Sequence, residues 1–200
     1  MEKVAPAAHP IHPLIAQRWS PRSFSSTPVA PEVLAQVLEA ARWAASCYND
    51  QPWIFIVARR EQPQLYQKAL ACLVPFNQAW AQSAPVLMIA LAQKTFKHNG
   101  KPNDWHEYDL GQAVATLCLQ ATALGLQVHQ MAGFEPETVI RTFHVPDHVV
   151  PKVMIALGYP GDPAHLPEDL RERELAPRSR YPLSSFVYGE TWGSPAEFVE

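Results

Sequence analysis

Ala44-Ala45-Ser46-Cys47-Tyr48-Asn49-Asp50-Gln51-Pro52-Trp53-Ile54-Phe55-Ile56-Val57 is the stretch whose reading decides the fold. It leaves a helix, crosses a small polar loop and enters an apolar run, rich in β-branched and aromatic residues, that reads as a buried strand. Gln51-Pro52 predicts an extended entry into that strand, because proline fixes its own φ and disfavours helical geometry in the residue before it. Ser46 and Asn49 then stand on a stiff support with side chains that donate and accept hydrogen bonds. Taken alone, the pattern is equally a helix end followed by a polar turn, and the flanking sequence must decide.

Upstream, Pro28-Val29-Ala30-Pro31-Glu32 carries helix-start signals, and Val33, Leu34, Val37, Leu38 and Ala41 follow at helical spacing. That helix delivers the chain to Ser46. Before it, residues 9–19 predict a short helix with Leu14 and Ile15 facing inward. Downstream, the strand at 54–58 is followed by a polar helix over 61–72 and a second buried strand over 84–91. Residues 93–106 are polar, turn at Asn99-Gly100, and read as a loop or lid. From Asp109 to Leu124, apolar residues recur at the period of a helix apolar over a wide face, which Gly125 ends. Residues 127–131 are extended, a helix opens at Glu135-Pro136-Glu137, and 153–159 is a third buried strand.

At 200 residues and 48% hydrophobic content, the chain can bury a sizeable core, and one domain over 1–200 is the expectation. A formal charge of −3 gives no general attraction to nucleic acid or an anionic membrane, so any anion site must be local. Cys47, Cys72 and Cys118 are odd in number and form no CxxC pair, which suits reduced thiols in the cytoplasm. No run of about 18 apolar residues predicts a membrane span. The 20 prolines cluster in 6–31 and 146–182. Residues 1–12 and 160–200 therefore read as extended arms, which pack on something, a partner subunit being one candidate.

Arg18, Ser20 and Arg22 fall close together, with Trp19 and Phe24 beside them. Two guanidiniums and a hydroxyl at this spacing can surround one phosphate, although an isolated RxSxR is more often a solvated basic turn. Gly133, just before a helix start, can let backbone N–H groups approach a ligand, or is a plain turn glycine. Arg178 and Arg180 fall on one side of an extended segment. His144 and His148 are separated by Pro146, which argues against a metal pair on one helix, and no metal site is expected. There is no GxGxxG after a strand, no Walker loop and no GxSxG elbow.

Together, Arg18-Trp19-Ser20-Pro21-Arg22-Ser23-Phe24, the Ala45–Phe55 stretch, Phe76-Asn77, the Asp109–Leu126 helix, Ala132-Gly133-Phe134, Ile155–Tyr159 and Arg178-Ser179-Arg180 resemble the FMN-dependent nitroreductase family. The resemblance covers roughly residues 10–193. It implies an α+β fold with a central mixed β-sheet flanked by helices, in a homodimer with an exchanged C-terminal arm and FMN at each of two interfacial sites. It assigns Arg18, Ser20, Arg178 and Arg180 to the phosphate, with Trp19 alongside. Arg22 would reach the phosphate or the flavin N1/O2 edge. Ala45, Ser46, Cys47 and Asn49 would line the flavin from the opposite subunit, Asn77 would bond its pyrimidine edge, and Ala132 and Gly133 would lie by N5.

The implied reaction is ping-pong. NADH or NADPH reduces FMN and leaves, and a nitroaromatic, quinone or similar acceptor replaces it, with no catalytic side chain required. The chain departs from the family pattern at Trp80, where many relatives carry a lysine near N1/O2, at Ala45, which replaces a common proline, and at Tyr48. Two other readings stay open. One is an FMN-dependent dehydrogenase or flavin-modifying enzyme on the same fold, and the other a non-catalytic dimer that binds some other phosphate ligand.

Overall fold

A computed structural model describes residues 3–199. Its centre is β2 (Val86–Gln93), where Val86 to Ala92 are all at most 1% exposed. A strand covered on both faces has no need of a polar side, which is why its sequence shows no alternation. The strand nevertheless alternates in what it touches. Leu87, Ile89 and Leu91 join one apolar cluster with Tyr66, Trp80 and Val139, whereas Met88, Ala90 and Ala92 join another with Val37, Leu110 and Leu117. The first cluster is roofed by α3 (Pro63–Leu70), α4 (Pro75–Ala81) and α6 (Pro136–Phe143), the second by α2 (Pro31–Arg42) and α5 (His106–Ala123).

β1 (Trp53–Arg59), β3 (Gln127–Met131) and β4 (Val149–Gly158) complete the sheet in the order β1-β2-β4-β3. The fold is α+β as expected, but every pairing among the described residues is antiparallel, so the sheet is not mixed within one chain. The connections explain this. Both consecutive pairs, β1–β2 and β3–β4, are joined by helices that return the chain to the end it left, whereas a parallel pair needs a crossover to the other end.

β4 begins at Val149, earlier than the predicted 153, because the register shifts where Pro151 faces Leu91. A bulge there accommodates a residue with no N–H to give, and β3 pairs with β4 from Met154 to Gly158, beyond the proline. Prolines also open α1 (Pro13–Gln17), α2, α3, α4 and α6, where the missing N–H would have had no partner anyway. Much of the proline surplus is therefore helix-start chemistry.

Three local expectations change. In α1, Ile15 is 50% exposed and Trp19, just beyond, is the buried residue. Gln51 does not enter β1 in extended geometry; its φ is +51°. The 160–200 arm is not uniformly extended, since it contains α7 (Glu168–Leu175), anchored by buried Leu170 and Glu174. Among the described residues no helix is long and apolar enough to cross a membrane.

Candidate functional site

The loop between α2 and β1 is held in an unfavourable shape. Tyr48, Asn49 and Gln51 have φ of 53°, 54° and 51°, the left-handed region that disfavours residues with a Cβ. Its restraints are specific. The Ser46 hydroxyl accepts from the Gln51 N–H at 3.1 Å, and the buried Asp109 carboxylate of α5 accepts from the Cys47 N–H at 3.0 Å. Asp50, also buried, accepts from the Lys97 N–H at 2.8 Å, and Lys97 Nζ donates to the Gln51 carbonyl at 2.6 Å. Phe96 meets the exposed Tyr48 ring edge-on at 5.8 Å. The 93–106 segment, expected as a loop or lid, thus packs against the 46–51 loop through Phe96 and Lys97. Ala45 and Asn49 are exposed, and Ser46 and Cys47 half-buried.

A second locus is built from both chain ends. Arg18, Arg178 and Arg180 line one cleft of about 640 Å³, whose apolar walls include Ile11, Ile15, Leu183 and Phe186. Arg178 donates to the carbonyls of Lys3 (2.6 Å), Ala16 (2.7 Å) and Arg18 (2.9 Å), so its fork ties the N-terminal arm and the end of α1 to the tail. Burial lowers its pKa, and the neighbouring Arg18 and Arg180 add to this. Arg18 donates to the Ser20 hydroxyl at 3.3 Å, and exposed Arg180 bonds, among the described residues, the Ser179 carbonyl alone. None of the three has a carboxylate within ion-pair distance among the described residues.

The Arg18–Phe24 turn is shaped by a residue that sequence reasoning missed. Glu174 of α7, 1% exposed, accepts from the backbone N–H groups of Arg22 and Ser23 at 3.0 and 3.2 Å. The signal for α7 was present in Pro167 followed by Glu168 and Asp169, a helix start, but nothing local marks Glu174 as a partner of residue 22. Trp19 does not join the arginines; its buried ring lies under Lys3 Nζ at 4.9 Å, and it lines a separate pocket with Thr122 and Leu126. Arg22 is not in the cleft wall either, and its Nε is buried without a partner.

The third locus surrounds Asn77. Its Nδ2 donates to the Gly133 carbonyl at 2.9 Å, and its Oδ1 accepts from the Trp80 indole N–H at 3.2 Å. Trp80, 2% exposed, tilts onto the His129 ring at 4.5 Å. His129 Nδ1 pairs with the Pro21 carbonyl at 2.8 Å, which ties this locus to the Arg18–Phe24 turn. Burial, with help from Arg22 and Arg18, pushes the His129 pKa down to about 4, against the pull of its bonds to the Pro21 and Ser20 carbonyls. Ala132 is exposed beside half-buried Gly133.

A sequence model of the nitroreductase family matches residues 15–159, which span the strained loop, Asn77, Trp80 and Gly133. The chain belongs to the nitroreductase family. Among solved structures of similar fold, a crystal structure of an oxidoreductase containing FMN is 34% identical, covers 95% of this chain and 96% of its own, and superposes with a TM-score of 0.90. A nitroreductase family protein of Clostridium difficile is 28% identical over 89% of this chain and 96% of its own, with a TM-score of 0.69. An NADH dehydrogenase of Thermus thermophilus is 28% identical over 183 residues, 74% of this chain and 87% of that protein.

In this family member the structure brings Arg18, Arg178 and Arg180 together, and separately Asn77, Trp80 and Gly133. It does not bring Ala45, Ser46, Cys47 or Asn49 into the wall of the arginine cleft. Among the described residues no group of three or more His, Cys, Asp or Glu side chains could hold a metal.

Proposed function

We propose that the chain is an FMN-dependent oxidoreductase that takes reducing equivalents from NADH or NADPH and delivers them to an electron-poor acceptor such as a nitroaromatic or a quinone. The observation that carries this reading is the convergence of Arg18, Arg178 and Arg180, without carboxylate partners, on a cleft with apolar walls. Uncompensated guanidiniums repel one another, and a phosphate carrying close to two negative charges relieves that repulsion with charge-assisted bonds. The donor set therefore fits the phosphate of FMN, and the family and the FMN-containing relative support the assignment.

Bound FMN would supply the redox chemistry itself, accepting a hydride from the nicotinamide donor and passing it to the acceptor in ping-pong order. The chain's share is binding and orientation. Arg18, Ser20 and Arg180 hold the phosphate, with the remaining N–H groups of Arg178. Asn77, Ala132 and Gly133 meet the polar edge of the isoalloxazine, and Arg22 and Trp80 shape its surroundings. Ala45, Ser46, Cys47 and Asn49 line the flavin from the partner subunit of a homodimer, which accounts for their standing apart from the arginine cleft within one chain. Exposed Phe186, Trp192 and Phe198 on the tail are the apolar surface that such a partner would cover.

The test is NADH and NADPH oxidation by the FMN-loaded protein with a panel of nitroaromatics and quinones. Turnover that requires both donor and acceptor is expected. A loaded protein that oxidises neither donor with any member of the panel contradicts the assignment.

A further inference from the structure

Asn77 is flanked by two groups that admit one orientation of its carboxamide. The indole N–H of Trp80 can only donate, so the atom facing it at 3.2 Å must be the oxygen. The Gly133 carbonyl can only accept, so the atom facing it at 2.9 Å must be the nitrogen. Chemistry, and not the placement of two nearly indistinguishable atoms, therefore fixes the amide. The Gly133 carbonyl is itself pinned to the start of α4, because it also accepts from the Val74 N–H at 3.2 Å.

The indole is equally restrained. Trp80 is almost fully buried, with the Phe24 ring stacked at 6.5 Å and the His129 ring at 4.5 Å. Gly133 completes the arrangement: a Cβ at that position would lie 2.6 Å from Asn77 Nδ2, well inside contact distance. Asn77 is half-buried, and its Nδ2 has a second N–H beyond the one it gives to the Gly133 carbonyl.

We propose that Trp80 is a positioning residue that acts through Asn77, locking its carboxamide so that Asn77 presents an N–H donor, and not a free carbonyl oxygen, to the acceptor atoms on the edge of a bound flavin. This inference rests on the FMN reading and adds to it a rule for what the site recognises. A donor at this point favours a carbonyl oxygen or ring nitrogen on the ligand edge and disfavours an N–H there. It also stabilises negative charge that develops on that edge during reduction.

The experiment is a set of FMN titrations, followed by quenching of flavin fluorescence, with the full-length chain and Trp80→Phe, Asn77→Ala, the double variant and Asn77→Asp. Midpoint potentials are measured on whatever binds. Trp80→Phe keeps most of the ring and removes the N–H. About fivefold weaker FMN binding and a lower potential are expected, as for the loss of one hydrogen bond. If Trp80 acts through Asn77, the double variant binds no more weakly than Asn77→Ala alone.

Asn77→Asp tests the orientation without touching Trp80. It places an acceptor against the Gly133 carbonyl and against the flavin edge, and binding weaker than that of Asn77→Ala is expected. Additive losses in the double variant, or unchanged affinity and potential in Trp80→Phe, overturn the proposal. If Trp80→Phe does not fold, Asn77→Asp binding as well as the parent overturns it. A parent chain that takes up no FMN overturns the flavin reading and this inference with it, whereas tight binding that is indifferent to these changes overturns the inference alone.

Discussion

The Glu174 carboxylate accepts hydrogen bonds from the Arg22 and Ser23 N–H groups at 3.0 and 3.2 Å, although about 150 residues of chain separate them. A buried carboxylate with such partners organises the turn that carries Arg18, Ser20 and Arg22. Its removal leaves two backbone donors unsatisfied, which costs about 2–4 kcal/mol. Glu174→Ala is therefore expected to lower stability by that amount in urea unfolding and to weaken FMN retention. Glu174→Gln, which keeps one acceptor oxygen, should lose less. Equal, negligible effects of both would contradict the role.

His129 gives the protein a pH dependence with a definite sign. Its folded pKa is about 4, below the ordinary 6.5. Between those values the unfolded chain binds a proton there that the folded chain does not, so stability rises with pH across the window and is lost as pH falls through it. The contribution is up to roughly 3 kcal/mol. Denaturant unfolding near pH 7 and near pH 4.5 should show this loss, and His129→Gln should flatten it. An unchanged slope in His129→Gln would assign the pH dependence to other groups.

Asp109 and the loop it holds supply a third expectation. Three left-handed residues without glycine persist only where surrounding bonds over-determine them, and the Asp109 bond to the Cys47 N–H is one of those. Asp109→Ala should destabilise the chain by about 1–3 kcal/mol and speed amide exchange across residues 47–51, measured by hydrogen exchange. Asp109→Asn, which keeps an acceptor, should leave exchange near the parent rate. Unchanged exchange in Asp109→Ala would show that the remaining bonds suffice.

The arginines of the cleft should separate by role. Arg18 has one weak side-chain bond of its own, so Arg18→Ala should weaken FMN binding by about tenfold to a hundredfold with little change in stability. Arg178 bonds three carbonyls, so Arg178→Ala should lower both. FMN titrations paired with thermal melts distinguish the two patterns, and equal stability losses would contradict the division.

What the sequence made legible was local. The helix, loop and strand around Ser46 follow from periodicity and a proline, and so do β2, α5 and the start of α6. The Arg18–Arg22 and Arg178–Arg180 pairs were visible as charge patterns. What each arginine bonds was not, because Arg178 reaches carbonyls some 160 residues away and the Cys47 N–H is met by Asp109 across a different element. Periodicity carries no information about such partners. Helix α7 escaped notice because only Leu170 and Glu174 of it are buried, too few to mark an apolar stripe, and it lies within a proline-rich tail. The left-handed φ of Gln51 runs against the usual preference of a residue before proline; the bond it gives to the Ser46 hydroxyl and the one it receives from Lys97, 46 residues on, fix it, and periodicity shows neither.

On the proposed reading, this nitroreductase family member would hold a reducible flavin between its arginine cleft and the strained loop of a partner subunit. The most direct measurement is the visible absorption spectrum of the purified protein, reconstituted with FMN if needed, before and after anaerobic addition of NADH and then NADPH. Oxidised-flavin bands that survive gel filtration and bleach with one or both donors are predicted. A colourless protein that retains no added FMN would contradict the account.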